Sequence, residues 1–293
     1  MKNAASALRS ALAVAALVVM ASTGLADDPL APAMEAYRNG EYEKAAEIAS
    51  AVADDDPARL KAAYLIGEAN LARGKWVAAE KAFREVLDKK ADNVPALVGL
   101  GRAQAGGGSV DVASTTLEKA AKVDAKDAGA RRALGETRFA KGDLEKARAD
   151  LEAAVKLDPK DPLASRSLVE VSLKAERLEL AVKEAERIAK ALPEHPMGHF
   201  LRGYVLDRQG RDKDAISEYE LAVAKDDKFI DAHKNLAILC VARNPNYADK
   251  ERTAKAMDHF QRYFELGGTD KELKDKYEQI KAFLDSQKPP KRK

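Results

Sequence analysis

Opposite charges four residues apart are the most suggestive chemistry in this chain: Arg132 with Glu136, and Arg166 with Glu170. At helical spacing such side chains share one face and reach each other. Two readings fit them. Each pair neutralises itself, contributing about 0.2–0.5 kcal/mol, or the row of arginines and glutamates holds an extended polar peptide. Further along, Phe200, Tyr204 and Arg208 bring together the residue types that dominate interface hot spots. Catalytic chemistry matches less well. Cys240, the single cysteine, sits between Leu239 and Val241 and has neither a base nor an orienting group nearby, so it reads as a small buried hydrophobe. His195 and His199 are four apart, but Pro196 between them starts a helix, and no carboxylate or thiolate stands at metal-binding spacing. His199 and His233 both read as inward-packing side chains. The sequence has no Gly-x-Ser-x-Gly, no phosphate loop ending Gly-Lys-Ser/Thr and no His-Glu-x-x-His. The cluster Gly106-Gly107-Gly108-Ser109 lacks the strand a phosphate loop needs. The expectation is a protein without catalytic, cofactor-binding or metal-binding residues.

The elements that carry these residues are set by a fixed stride. Alanine recurs every 34 residues at Ala45, Ala79, Ala113, Ala147, Ala181 and Ala215. Five residues earlier stand Gly40, Gly74, Gly108, Gly142 and Gly210, with Glu176 breaking the series. Glycine closes a helix in the left-handed conformation, and alanine lets two helices cross closely while favouring helix itself. A helix–turn–helix stacked many times follows. Prolines at Pro57, Pro159 and Pro193 end units where the chain must turn.

Framed from residue 26, units begin at 26, 60, 94, 128, 162, 196 and 230. The fourth carries Leu134-Gly135, Gly142-Asp143-Leu144, Ala147, Leu151, Ala154 and Leu157-Asp158-Pro159. The second has Ile66-Gly67, Gly74, Trp76, Ala79 and Phe83, and the sixth has Gly203, Gly210, Ala215, Tyr219 and Ala222. In these positions, over residues 28–266, the chain resembles the tetratricopeptide repeat family. The resemblance implies an all-α, right-handed superhelical solenoid of about seven antiparallel helix pairs with a C-terminal capping helix. It also implies that the first helix of each pair lines a concave face that binds another protein. The family's ligand-facing places fall here on Tyr64, Glu68, Arg102, Arg132, Glu136, Arg166, Glu170, Phe200, Tyr204 and Arg208. The lysine and asparagine clamp by which some members capture chaperone C-termini is missing, since Tyr64, Glu68 and Gly99 occupy its places.

The flanks complete the reading. Lys2 and Arg9, the apolar run 11–20, and small residues at Gly24 and Ala26 predict a signal peptide over 1–26 and export of the rest, most simply to a bacterial periplasm. No cysteine near that point predicts a lipid anchor. The chain has 50 basic against 48 acidic residues; without Lys2 and Arg9 the two sides are equal at 48, which excludes a basic field that would draw nucleic acid. The array spans 27–266. In its seventh unit the pattern resumes seven residues late, at Ala256 and Phe260, after a turn-rich insertion holding Asn244 and Tyr247. That loop reads equally as a partner site and as a tolerated insertion. A polar capping helix is expected within 267–286, then a disordered basic tail over 287–293. The functional expectation is a non-enzymatic scaffold of the bacterial envelope that binds a peptide or helix of a partner. A periplasmic receptor in which Phe200, Tyr204 and Trp76 stack on small-molecule or glycan rings, and a self-associating homo-oligomer, are the alternatives.

Overall fold

The computed structural model describes residues 28–242 and 248–287. The export segment read over 1–26, the loop residues Asn244 and Tyr247, and the tail from 288 lie outside the described residues. Fifteen helices and no strand occupy what is described. They fall into two compact units, 28–175 and 176–287, divided inside the fifth repeat.

The first unit holds α1 (Ala31–Arg38), α2 (Tyr42–Ser50), α3 (Arg59–Ala72), α4 (Trp76–Lys89), α5 (Val94–Gly106), α6 (Val110–Val123), α7 (Ala128–Lys141), α8 (Leu144–Leu157) and α9 (Pro162–Lys174). The second holds α10 (Leu178–Ala191), α11 (Pro196–Arg208), α12 (Asp212–Lys225), α13 (Ile230–Ala242), α14 (Lys250–Glu265) and α15 (Lys271–Ser286). Within each unit every helix packs on its sequence neighbour, and in the first unit α3, α5, α7 and α9 also meet one another in turn. Each unit is therefore an all-α stack of helix pairs. The second helices start at residues 42, 76, 110, 144, 178 and 212, a constant stride of 34.

Local chemistry sets where these helices begin and end. Asn93, Asp127 and Asp161 stand before α5, α7 and α9, and each side chain accepts a backbone N–H from the first turn, at 2.9 Å, 2.6 Å and 3.2 Å for the residue three further on. That satisfies donors the helix itself leaves unpaired. Between the members of a pair the helix closes on a left-handed residue. At Gly142, φ is 90°, and the Asp143 N–H reaches back to the Arg138 carbonyl at 2.9 Å. The same closure joins Glu41 to Ala36, Lys75 to Asn70, Ser109 to Gln104 and Arg211 to Leu206. Where the glycine series breaks, Glu176 takes the left-handed conformation itself, with φ 57°. It is the one non-glycine residue with positive φ among the described residues.

Packing explains the alanine beat. All six alanines of the series are 0 % exposed. A larger side chain follows four residues later at Phe83, Leu117, Leu151 and Tyr219, also fully buried, and it points at a glycine. Leu151 faces Gly135 and Tyr219 faces Gly203 so closely that an added Cβ would come within 2.7 Å and 2.8 Å of them. In these four repeats the fold thus places one large group in a slot left by a missing side chain, whereas the first and fifth carry Ala49 and Ala185 at that place.

Candidate partner-binding face

The helices α3, α5, α7 and α9 carry the charged residues singled out by their spacing, and the structure links them across neighbouring helices. Glu68 on α3 is only 4 % exposed, with its Oε2 3.6 Å from Nη1 of Arg102 on α5. Tyr64, one turn before Glu68, is buried edge-on against Phe83 at 5.7 Å between ring centroids. Burial, aided by the Glu68 charge, pushes its phenol well above the usual tyrosine range. Neither Tyr64 nor Glu68 presents the open surface expected of a ligand-facing residue. They shape the wall from behind, and Arg102 is the half-buried group that stands in front.

On α7, Arg132 makes two ion pairs. Its Nη1 lies 3.4 Å from Glu136 Oε1 and its Nε 3.0 Å from Oδ2 of Asp161, the residue that caps α9. Burial works against the guanidinium charge, but Glu136 and Asp161 outweigh it and hold the pKa above its ordinary value. Glu136 in turn accepts a hydrogen bond at 3.1 Å from the Ser167 hydroxyl on α9. On α9 itself, Arg166 Nε donates to Glu170 Oε1 at 2.9 Å. Both pairs four residues apart therefore exist. Arg132 and Glu136 in addition tie α7 to α9, which spacing alone does not reveal. Arg102, Arg132, Glu136, Arg166 and Glu170 are all half-buried.

The aromatic group of the second unit is arranged differently from the expectation. Phe200 is 4 % exposed and lies 5.2 Å from Phe229 and 5.7 Å from Tyr219, centroid to centroid. It is a core ring, because Phe229 and Tyr219 close over it. Tyr204 stacks on Phe200 with rings 5° from parallel and 6.3 Å apart, and stays half-exposed. Arg208 at the end of α11 is exposed. Trp76 is likewise occupied, lying along the turns at Gly74 and Gly106.

The histidines separate as well. His195 caps α11, its Nδ1 accepting from the Met197 N–H at 3.2 Å, whereas His199 Nδ1 lies 2.9 Å from Glu218 Oε2. Cys240 is 1 % exposed in an apolar cluster with Ala256, Phe260 and Ile280, and burial pushes its thiol pKa up. Among the described residues no group of three or more His, Cys, Asp or Glu could hold a metal ion, and no helix is long and apolar enough to cross a membrane.

Two constellations escape a reading by repeat position. One is Asp150, 5 % exposed, whose carboxylate takes Arg131 at 3.3 Å and Arg138, while Arg138 also reaches Glu118 of the preceding repeat at 2.7 Å. The other is His233 against His259. The partners in the first lie 12 to 20 residues apart, and in the second 26 apart across the inserted loop.

Comparison with known proteins agrees with this architecture. Models of the tetratricopeptide repeat match residues 30–94, 98–162 and 138–202. The chain belongs to the tetratricopeptide repeat family. Among solved structures it is similar to yeast Tom70 with 16 % identity and a TM-score of 0.70, covering 90 % of this chain and 59 % of that one. A tetratricopeptide repeat protein from Parabacteroides merdae ATCC 43184 matches with 12 % identity and a TM-score of 0.65, over 85 % of this chain and 96 % of that one. The anaphase-promoting-complex heterotetramer Cut9–Hcn1 matches with 17 % identity and a TM-score of 0.60, over 93 % and 53 %. The chain thus spans little more than half the length of two of these three. At such identities the likeness is one of fold. No curated protein matches the sequence. Proteins of this repeat family bind other proteins and are generally non-catalytic scaffolds.

Proposed function

We propose that this protein is a non-enzymatic scaffold of the bacterial cell envelope, exported by its N-terminal segment. In this reading it holds a peptide or helix of a partner protein on the face formed by α5, α7 and α9. The partner belongs to an envelope assembly such as a secretion, pilus, motility or cell-wall complex. One observation carries the binding site: Arg102, Arg132, Glu136, Arg166 and Glu170 sit half-buried on consecutive first helices of one unit, with α7 and α9 cross-linked by the Arg132–Asp161 and Ser167–Glu136 contacts. Arginines already oriented by carboxylates lose little further freedom on binding, which is the advantage of a preorganised surface. Their alternating charge suits a polar segment of mixed charge better than an apolar or uniformly acidic one. The receptor reading loses its main support, since Phe200 and Trp76 are engaged in packing.

Exchanging the charges of one pair tests the face. The double variant Arg166→Glu with Glu170→Arg keeps an ion pair on α9 but reverses the pattern a partner would read. A partner captured from envelope extract and then purified should bind the variant at least tenfold more weakly, about 1.4 kcal/mol, while the urea midpoint stays the same. Equal affinity for parent and variant would show that the pair serves only itself. N-terminal sequencing of the protein from a periplasmic fraction tests the location, and should begin at Asp27.

A further inference from the structure

Helices α13 and α14 meet at two histidine rings. His233 is 5 % exposed; its Nε2 lies 2.9 Å from the Asp227 carbonyl oxygen, and its Nδ1 lies 3.0 Å from Nδ1 of His259. A carbonyl oxygen only accepts, so His233 carries its proton on Nε2, and in the neutral ring its Nδ1 is then a bare acceptor. His259 must therefore keep its own proton on Nδ1 and donate it. The backbone thus dictates the tautomer of both rings.

This arrangement tolerates one added proton and refuses two. The first goes to His259 Nε2 and leaves the Nδ1–H···Nδ1 bond in place. The second has only His233 Nδ1 to go to, where it would point at the existing N–H across 3.0 Å and put two positive rings side by side. The surroundings divide. Arg262 and Lys255, both on α14, oppose protonation of His233 and His259 respectively. Asp226 and Asp227 before α13, Glu220 on α12 and Asp258 on α14 favour it. The two sides largely offset each other: Arg262 pairs with Asp227 at 3.0 Å and Lys255 with Glu220 at 3.3 Å. At the start of α15, Asp270 is tied to Lys234 at 2.8 Å. Burial is the largest influence on both rings and lowers both pKa values below the ordinary histidine value.

We propose that the His233–His259 contact is an acid-sensitive latch, which releases α14 from α13 when the surroundings fall below the histidine range. α15 is attached to α14 by Tyr277 against Phe260 at 6.2 Å and Phe264 at 5.8 Å, and to α13 by the Lys234–Asp270 ion pair, so release of α14 from α13 loosens α15 as well. The sign follows from linkage. Freed imidazoles bind protons near pH 6.5, whereas the packed pair binds them at lower pH. The open form therefore takes up more protons, and the closed form loses stability as pH drops below about 6.5.

Hydrogen exchange on the full chain at pH 7.5 and pH 5.0, corrected for the intrinsic rate, reads the latch. Protection of α14 and α15 amides should fall about tenfold or more, the factor for one pKa unit, while α3 to α8 keep theirs. In His259→Gln one of the two titrating rings is gone while an N–H donor for His233 remains, so the fall in protection should shrink to the share of His233 alone. Unchanged protection in the parent, or an undiminished fall in His259→Gln, overturns the proposal. Ring-nitrogen NMR of the parent decides without a variant: His233 should show a bare Nδ1 and a protonated Nε2 at pH 8. A protonated Nδ1, or two rings titrating together at the ordinary value, would refute it.

Discussion

Replacing Gly99 by alanine should destabilise the first unit, although alanine is the better helix former. Gly99 lies inside α5, where the exchange taken alone would gain up to about 1 kcal/mol. Against that, its new Cβ would sit 2.4 Å from Cζ of Phe83, 2.5 Å from Cε1 and 2.7 Å from Cε2. Carbon atoms prefer about 3.5–4.0 Å, so the overlap is of order 1 Å at three atoms. The ring has nowhere to retreat. It is 0 % exposed, Tyr64 stands edge-on to it, and on the α3 side the same ring lies 2.7 Å from where a Cβ on Gly67 would be. A ring held on both sides puts the clash near the upper end of the 1–3 kcal/mol typical of overpacking. Subtracting the helical gain leaves a net loss of about 2 kcal/mol. Trp76 is the only tryptophan in the chain and lies in this unit, so its fluorescence during urea unfolding reports on this unit. Phe83→Leu removes all three clashing atoms, so in the Phe83→Leu background Gly99→Ala should cost nothing. Coupling of about 2 kcal/mol in that cycle is expected, well above the ~0.5 kcal/mol scatter of independent sites. Additive losses would show that the glycine is not there to admit the ring.

Two further outcomes follow from the same geometry. Glu176 carries a Cβ in the left-handed region, at a cost of about 1–2 kcal/mol, while glycine there costs some chain entropy; Glu176→Gly should therefore stabilise by about 0.5 kcal/mol, and the β-branched Glu176→Val should destabilise by about 1 kcal/mol. A thermal melt by circular dichroism in which the valine variant equals or exceeds the glycine variant refutes that account. Asp150→Asn leaves Arg131 and Arg138 without their shared carboxylate; partial exposure of both arginines limits the loss to about 1–2 kcal/mol. The loss should shrink in high salt, and an unchanged Trp76-detected midpoint at low salt would refute it.

How far the site could be read from sequence differs from residue to residue. Arg132–Glu136 and Arg166–Glu170 were legible, because four residues along a helix fixes proximity whatever surrounds them. The burial of Tyr64, Glu68 and Phe200 was not. Repeat position says which way a side chain leaves its helix, but Phe229, from the linker before α13, is what closes over Phe200. Likewise His233 read as inward-packing, but its partner His259 lies beyond the insertion that breaks the stride.

The linear order of residues by itself settled the architecture of this protein. Alanine and glycine recur at constant spacing, so the second helices from Tyr42 to Asp212 begin 34 residues apart and every alanine of the series is fully buried. Those interactions are local, decided within a turn or between adjacent helices, and they repeat because their residues repeat. Only tertiary structure decided which polar groups meet: Arg132 with Asp161, Arg138 bridging Glu118 and Asp150, His233 with His259. Each joins separate helices through long side chains or rings, whose reach and direction depend on how neighbouring helices pack and not on their distance along the chain.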